Sequence, residues 1–195
     1  VVDHHPIGWI TLKSYNYEIA TIDGVVNESA LQNVDTLLLV APVSDLSSAE
    51  LEVIDKFLDN DGKRGKNFLV FGSTASPATP NLNEFLEEWG IGVNNGIAYE
   101  TSGAYRLSDG NSFILFNKGD DLTESINSGE LLYYSSDIVS TSLLFETSGS
   151  RTAHLLMTTS PYAVTAPYGS KGYTPSSNDV LGEMPLAIVT EDTTY

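Results

Sequence analysis

The sequence predicts an α/β fold of the Rossmann-like kind, with a mostly parallel sheet flanked by helices. Short continuous apolar runs are typical of strands buried on both faces of such a sheet. An amphipathic helical pattern follows each of two such runs, and strands and helices alternate over residues 17–99 at the spacing of βαβ units. No composition break marks a second domain, so we expect residues 1–195 to form a single α/β domain.

Strands are expected at four places in the first half. Residues 17–22 alternate between apolar and polar side chains, as a half-buried strand does. Residues 36–40 and 68–71 are the continuous apolar runs and should be buried strands. Residues 91–99 should form a further strand, with a bend at Asn94-Asn95-Gly96.

Two helices should connect these strands. The first has Asp45 or Ser47 as its N-cap, and Glu50 stands three residues after Ser47, as a capping box requires. The second should begin at Pro80 and end at Gly90. The expected inward-facing residues are Leu51, Ile54, Phe57 and Leu58 in the first helix and Leu82, Phe85, Leu86 and Trp89 in the second.

The second half has a weaker periodicity. It predicts strands at residues 112–116, 131–134, 153–158 and 186–189 and a short helix at residues 121–127. Residues 160–183 form a segment rich in Ser, Tyr, Gly and Pro, which we expect to be a long loop. Loops of that length in a compact domain are usually functional or flexible.

Composition excludes several classes of function. Nine basic and 26 acidic side chains give a formal net charge of −17, which repels nucleic acid. The absence of cysteine excludes disulfides, thiolate metal sites and cysteine nucleophiles. No apolar run reaches the roughly 20 residues of a membrane helix. The chain opens on Val1-Val2-Asp3 without a signal sequence, and we expect it to be excised from a longer protein.

Open α/β sheets bind ligands beyond the carboxyl ends of their strands. Here those positions hold Ser44 and Asp45 after one predicted strand and Ser73, Thr74 and Ser76 after the next. Ser73 is the best candidate nucleophile, and a serine hydrolase or amidotransferase-like enzyme is one alternative function. Because no G-x-S-x-G motif surrounds Ser73, we predict that the chain is not an enzyme.

The three histidines do not predict a metal site. His4 and His5 are adjacent, so on a strand their side chains would point to opposite faces. His154 lies in a predicted strand and should be a satisfied core residue. No phosphate-binding G-x-x-x-x-G-K-[ST] motif is present. We expect neither a metal nor a cofactor.

Three tyrosines of the predicted long loop, Tyr162, Tyr168 and Tyr173, are candidate surface residues. Aromatic faces stack on sugar rings, so a carbohydrate-binding module is a second alternative function. Exposed aromatic residues at a protein–protein contact are the favoured interpretation.

Several stretches, in order along the chain, resemble the GldG family of ABC-transporter auxiliary proteins. They are D-T-L-L-L-V-A-P at 35–42, D-L-S with E-L at 45–51, F-L-D-N-D-G-K at 57–63, P-N-L-N-E-F-L with W-G-I at 80–91, L-L-M-T-T-S-P at 155–161 and G-E-M-P-L-A at 182–187. The resemblance implies a fold like that of class I glutamine amidotransferases without their activity. It also implies a non-catalytic accessory domain, part of a longer membrane-anchored protein, on the extracytoplasmic face of the cell membrane, with an ABC permease and ATPase as partners. An extracellular ligand or glycan, suggested by the tyrosines of the long loop, is a further candidate partner.

Overall fold

The computed structural model divides the chain into two compact units, Val1–Asn81 and Leu82–Tyr195, and each is described below by itself. His4 and His5 lie outside the described residues. The described residues are 12–107, 112–123, 132–135, 138–170 and 173–193.

The first unit holds one pair of strands and one long helix. Its elements are a 3-10 helix at Glu28–Leu31, strand β1 at Thr36–Val40, helix α1 at Ser48–Asp59 and strand β2 at Asn67–Phe71. β1 and β2 pair in parallel, from Thr36 opposite Asn67 to Val40 opposite Phe71. The parallel pairing of these two strands is therefore confirmed.

The predicted capping box of α1 is confirmed. The Glu50 backbone N–H donates to Ser47 Oγ at 3.3 Å, and Glu50 Oε2 accepts from the Ser47 backbone N–H at 2.9 Å. Glu50 Oε1 also accepts from the Val26 backbone N–H at 3.2 Å. Burial alone would raise the pKa of Glu50, but the hydrogen bonds from Ser47 and Val26 outweigh it and lower that pKa. The carboxylate therefore fixes both the start of α1 and the chain that precedes it.

The expectation that both strands are buried on two faces was wrong. Leu37 is buried, but Leu69 and Phe71 are 40% and 49% exposed. The reason is that this sheet has two strands among the described residues, and a pair of strands offers little area for a second covering layer. The predicted strand at 17–22 was also wrong, because these residues have no regular secondary structure.

The second unit is rich in strands. Helix α2 spans Pro80–Glu88 and leads into it; the strands are β3 at Ile91–Glu100, β4 at Ser112–Asn117, β5 at Leu132–Ser135, β6 at Val139–Leu143, β7 at Thr147–Ser148, β8 at Arg151–Thr158, β9 at Ala163–Ala166 and β10 at Pro185–Asp192. One sheet has the order β6-β3-β9; the other has the order β10-β8-β4-β5, with β7 paired to β8.

Every strand pairing described in the second unit is antiparallel. The predicted fold, a mostly parallel Rossmann-like sheet resembling class I glutamine amidotransferases, was therefore wrong. Parallel neighbours need a crossover of a dozen or more residues, usually a helix. After α2 the described helical segment is the three-residue 3-10 helix Asp121–Thr123, and a turn at Gly149-Ser150 joins β7 to β8. Of the helix predicted at 121–127, residues 124–127 lie outside the described residues.

Most strands predicted in this half are present, and three were missed. β4, β5, β8 and β10 overlap the predicted strands at 112–116, 131–134, 153–158 and 186–189. β6, β7 and β9 were not predicted. β9 lies inside the segment 160–183 that was expected to be one long loop, because its four residues are too short to give a hydrophobic period.

The C-terminal end of α2 is tied to two strands. The Arg151 guanidinium lies 4.2 Å from the centre of the Trp89 ring, and its Nη1 donates to the Glu88 carbonyl at 2.6 Å. Thr190 Oγ1 donates to the Trp89 carbonyl at 2.5 Å. The last carbonyls of a helix have no hydrogen-bond donors within the helix. Here side chains of β8 and β10 donate to them.

The predicted bend in β3 coincides with a shift in register. Pairing with β6 is interrupted between Val93 and Ile97. At this irregularity Asn94 Nδ2 donates to Ser140 Oγ at 2.8 Å, and Ser140 Oγ lies 2.7 Å from Thr165 Oγ1. Ser140 is fully buried, so this polar chain links β3, β6 and β9 inside the unit.

Among the described residues, no helix combines the length and the apolar character that crossing a bilayer requires.

We expect Gly96→Ala to destabilise the β6-β3-β9 sheet. A Cβ at Gly96 would lie 2.4 Å from the Ala166 carbonyl oxygen, which belongs to the backbone of β9 and cannot rotate away. The expected loss is about 1–3 kcal/mol of unfolding free energy, measured by urea denaturation. The control is Gly103→Ala, where a Cβ meets nothing within 4 Å. Equal stability of the two variants would contradict the close approach of β9 to β3.

Candidate partner-binding surface

Three aromatic rings cluster on the second unit. The Tyr105 and Tyr162 rings stack, with centroids 6.1 Å apart and planes 17° apart. Tyr105 also meets Phe116 edge to face, at 5.5 Å and 74°. Tyr162 is 48% exposed, whereas Tyr105 and Phe116 are half-buried. The outermost ring of this aromatic cluster thus presents a large apolar area to solvent.

The backbone of Tyr162 is held on both sides. Its N–H donates to Ser160 Oγ at 3.0 Å. Its carbonyl accepts from the Thr101 backbone N–H at 3.1 Å and from Thr101 Oγ1 at 2.6 Å. These bonds place Tyr162 at the start of β9, beside the end of β3.

A buried carboxylate anchors this turn. Glu100 is 1% exposed. Its Oε2 accepts from Ser160 Oγ at 2.6 Å, and its Oε1 accepts from the Ser102 backbone N–H at 2.8 Å. Burying a carboxylate costs free energy unless hydrogen bonds compensate. Because Ser160 both donates to Glu100 and accepts from Tyr162, the position of the exposed ring depends on the buried acid.

An ion pair lies near the aromatic cluster. Glu183 Oε1 accepts from Lys118 Nζ at 2.6 Å and from Thr158 Oγ1 at 2.6 Å. Lys118 follows Phe116 by two residues, and Gly182 pairs with Ala163, next to Tyr162. The hydrogen bond from Lys118, followed by that from Thr158, lowers the pKa of Glu183. The carboxylate is therefore ionised near neutral pH.

Tyr173 is half-buried, and its ring and hydroxyl both contact other residues of the unit. Its ring meets Tyr99 edge to face at 5.6 Å, and its hydroxyl donates to Asp179. The hydrogen bond to Asp179 raises the pKa of Tyr173. A hydrogen bond from the Ser176 backbone N–H, together with the Tyr173 hydroxyl, lowers the pKa of Asp179. Tyr99 also accepts a hydrogen bond from Arg106 Nη1 at 3.0 Å.

Tyr168 is 47% exposed and lies in the turn 167–170. Among the described residues, no ring contact joins it to Tyr162 or Tyr173. Of the three tyrosines singled out in the sequence, Tyr162 belongs to the exposed aromatic cluster, and Tyr173 contacts the buried Tyr99 instead. Tyr105, Phe116 and Glu100 were missed, because their relation to Tyr162 depends on the pairing of β3 with the unpredicted β9.

Three of the five polar residues expected to bind a ligand in the first unit have structural contacts. Asp45 Oδ2 accepts from the Asn81 backbone N–H at 2.9 Å, in the first turn of α2. Ser73 Oγ accepts from the Ala75 backbone N–H at 3.2 Å, and the Ser76 N–H donates to the Ser73 carbonyl. Ser44 is exposed, and Thr74 is half-buried. Asp45 thus acts as a cap, and the serines form a turn.

The serine-hydrolase alternative is not supported. The hydroxyl of Ser73 accepts a hydrogen bond within its own turn. His154 Nδ1 lies 3.0 Å from Asp120 Oδ2, and its side chain is 35% exposed. His154 has a partner, as expected, but it is not a core residue. In the part of the chain that the structure describes, no group of three or more His, Cys, Asp or Glu residues could hold a metal ion.

Comparison with known proteins gives a family match and structural matches. A family model described as the IFT52 GIFT domain matches residues 11–106. A solved structure, the mmIFT52 N-terminal domain, is similar with a TM-score of 0.59 and 20% sequence identity, over 90% of this chain and 75% of that chain. No curated protein sequence gives a significant match.

These matches overturn the resemblance to the GldG family. The expected role as an accessory domain of a bacterial ABC transport system was wrong, as were the ABC permease and ATPase partners and the location at the cell membrane. The structural match also supports the β-rich fold over the predicted parallel one. Neither alternative function, the hydrolase or the carbohydrate-binding module, receives support.

We expect Ser160→Ala to lower the free energy of unfolding by roughly 1–3 kcal/mol, because Glu100 loses a donor while it stays buried. Chemical denaturation followed by tryptophan fluorescence measures this change. Ser102→Ala is the matched control, since it keeps the backbone N–H that donates to Glu100 and removes an exposed hydroxyl. A Ser160→Ala protein as stable as the control would refute the anchoring role.

Glu183 should stabilise the unit in a pH-dependent way. Its pKa in the folded state is lower than its usual value of 4.5, so its contribution is complete above that value and is lost as the pH falls through the folded pKa. Glu183→Gln should cost roughly 0.2–1 kcal/mol at pH 7, a value reduced by solvent screening. The difference in melting temperature between Glu183→Gln and the wild type should shrink between pH 5 and pH 3, because protonation of Glu183 removes its contribution in the wild type. A difference independent of pH would contradict the ion pair with Lys118.

Proposed function

We propose that the chain is a GIFT domain of the IFT52 type in an intraflagellar transport protein, and that it is a non-enzymatic, protein-binding module. The match of the family model to residues 11–106 carries this proposal. The likeness to the mmIFT52 N-terminal domain, over 90% of the chain, agrees with it. On this proposal the partners are other intraflagellar transport proteins, and the location is the cilium.

The chemistry of the described residues supports a binding role. Ser73, the best candidate nucleophile, and Asp45, a candidate ligand-binding residue, are engaged in a turn and a helix cap. Tyr162, in contrast, is half exposed on a turn that hydrogen bonds hold from both sides. A rigid aromatic side chain loses little conformational entropy when it binds, and such residues dominate the affinity of protein interfaces.

The charge of the chain favours one kind of partner surface. A formal net charge of −17 speeds association with basic surfaces and disfavours acidic ones. We therefore expect binding to transport partners to weaken as the salt concentration rises, because added ions screen exposed charges.

The proposal is tested by co-purification from ciliated cells. Tagged protein should enrich intraflagellar transport subunits in quantitative mass spectrometry and should localise to cilia, relative to the tag alone. Ser73→Ala should behave like the wild type, because the proposal assigns no catalytic role to that hydroxyl. Absence of enrichment together with a diffuse location would refute the proposal, and loss of enrichment in Ser73→Ala would refute the non-enzymatic assignment.

A further inference from the structure

We propose that the stacked pair Tyr105–Tyr162 is the docking site for an arginine-bearing segment of a partner protein. The inference rests on the proposed function, since it names the chemistry that a partner brings to this surface. Its first ground is geometry: one face of Tyr162 stacks on Tyr105, and the ring is still 48% exposed. The exposed part of Tyr162 is accessible to a planar cation.

The second ground is charge. The chain carries 26 acidic and nine basic residues, so a positively charged segment is attracted to it from a distance. The three arginines of the chain already have contacts: Arg64 pairs with Asp59, Arg106 lies over Tyr99, and Arg151 lies over Trp89. Among the described residues, no cation–π contact involves Tyr162, so we infer that its cation comes from another molecule.

The third ground is that this unit already uses the same chemistry twice. The Arg106 carbon Cζ lies 5.8 Å from the centre of the Tyr99 ring, and that of Arg151 lies 4.2 Å from the centre of the Trp89 ring. A guanidinium stacks on an aromatic face through its flat, weakly hydrated surface. An ammonium lacks that flat surface, so we expect the site to prefer arginine to lysine.

The fourth ground is that hydrogen bonds fix the backbone position of Tyr162. Its backbone is fixed by Ser160 and Thr101, and Ser160 is fixed in turn by the buried Glu100. A binding residue whose supporting contacts are already formed needs no ordering when the partner arrives. Tyr168 has almost the same exposure, 47%, but it lies in a turn and has no ring partner among the described residues. It is the matched control.

The test is a titration followed by the aromatic NMR signals of the protein. The probes are a capped Gly-Arg-Gly-Arg-Gly peptide and the same peptide with citrulline, which keeps the shape of arginine but removes its charge. The arginine peptide should shift the Tyr162 ring signals saturably and more strongly at low salt. Citrulline should bind at least about fivefold more weakly, as expected for loss of a cation–π contact.

Substitutions of Tyr162 distinguish the contribution of its aromatic face from that of its apolar volume. Tyr162→Leu should weaken binding of the arginine peptide about fivefold, whereas Tyr162→Phe and Tyr168→Leu should leave it unchanged. Circular dichroism verifies that each variant is folded. The citrulline peptide, titrated into the wild-type protein, keeps the test decisive if the leucine variant is not folded. Equal affinity for the citrulline peptide, or equal weakening by Tyr168→Leu, would overturn the inference.

Co-purification distinguishes this inference from the proposed function. Failure of the wild-type protein to enrich transport subunits refutes the proposed function, whatever the peptide does. Enrichment by the wild type that is undiminished in Tyr162→Leu overturns the docking site and leaves the proposed function standing. Enrichment lost in Tyr162→Leu but kept in Tyr168→Leu supports both.

Discussion

The hydrogen bonds of Glu100 connect the interior of the second unit to its most exposed aromatic cluster. The carboxylate lies at the end of β3, is 1% exposed, and accepts from Ser160 and from the Ser102 backbone. β3 is also the central strand of the β6-β3-β9 sheet, and Glu100 is paired there with Ala163 of β9. A polar group at such a place is stable only while its partners remain, and the turn that carries Tyr162 is one of them.

This arrangement explains how a small sheet can present a binding residue with a fixed position. The aromatic ring lies outside, while the polar contacts that set its place lie inside or at the edge of the sheet. Rigid support of this kind reduces the entropy lost on association. The proposed binding role therefore depends on the buried Glu100 as well as on the exposed residues.

The sequence predicted local features better than long-range ones. The capping box of α1 was correct because Ser47 and Glu50 are three residues apart and interact whatever the rest of the chain does. The mostly parallel sheet was wrong, because the pattern of β1, α1 and β2 was extended to a half in which the described strands pair antiparallel. The polar residues after β1 and β2 were correctly placed at strand ends, but their side chains serve a turn and a cap.

By itself the sequence determined the strong acidity, the absence of thiol chemistry and the start of α1. These depend on composition or on neighbours a few residues apart. Only the tertiary structure decided the direction of strand pairing and the meeting of Tyr105 with Tyr162. Those two residues are far apart in the chain and meet because β9 pairs with β3 while β4 lies beside the turn that carries Tyr105. A four-residue strand such as β9 leaves no periodic signal, so its partner and its neighbours follow from packing alone.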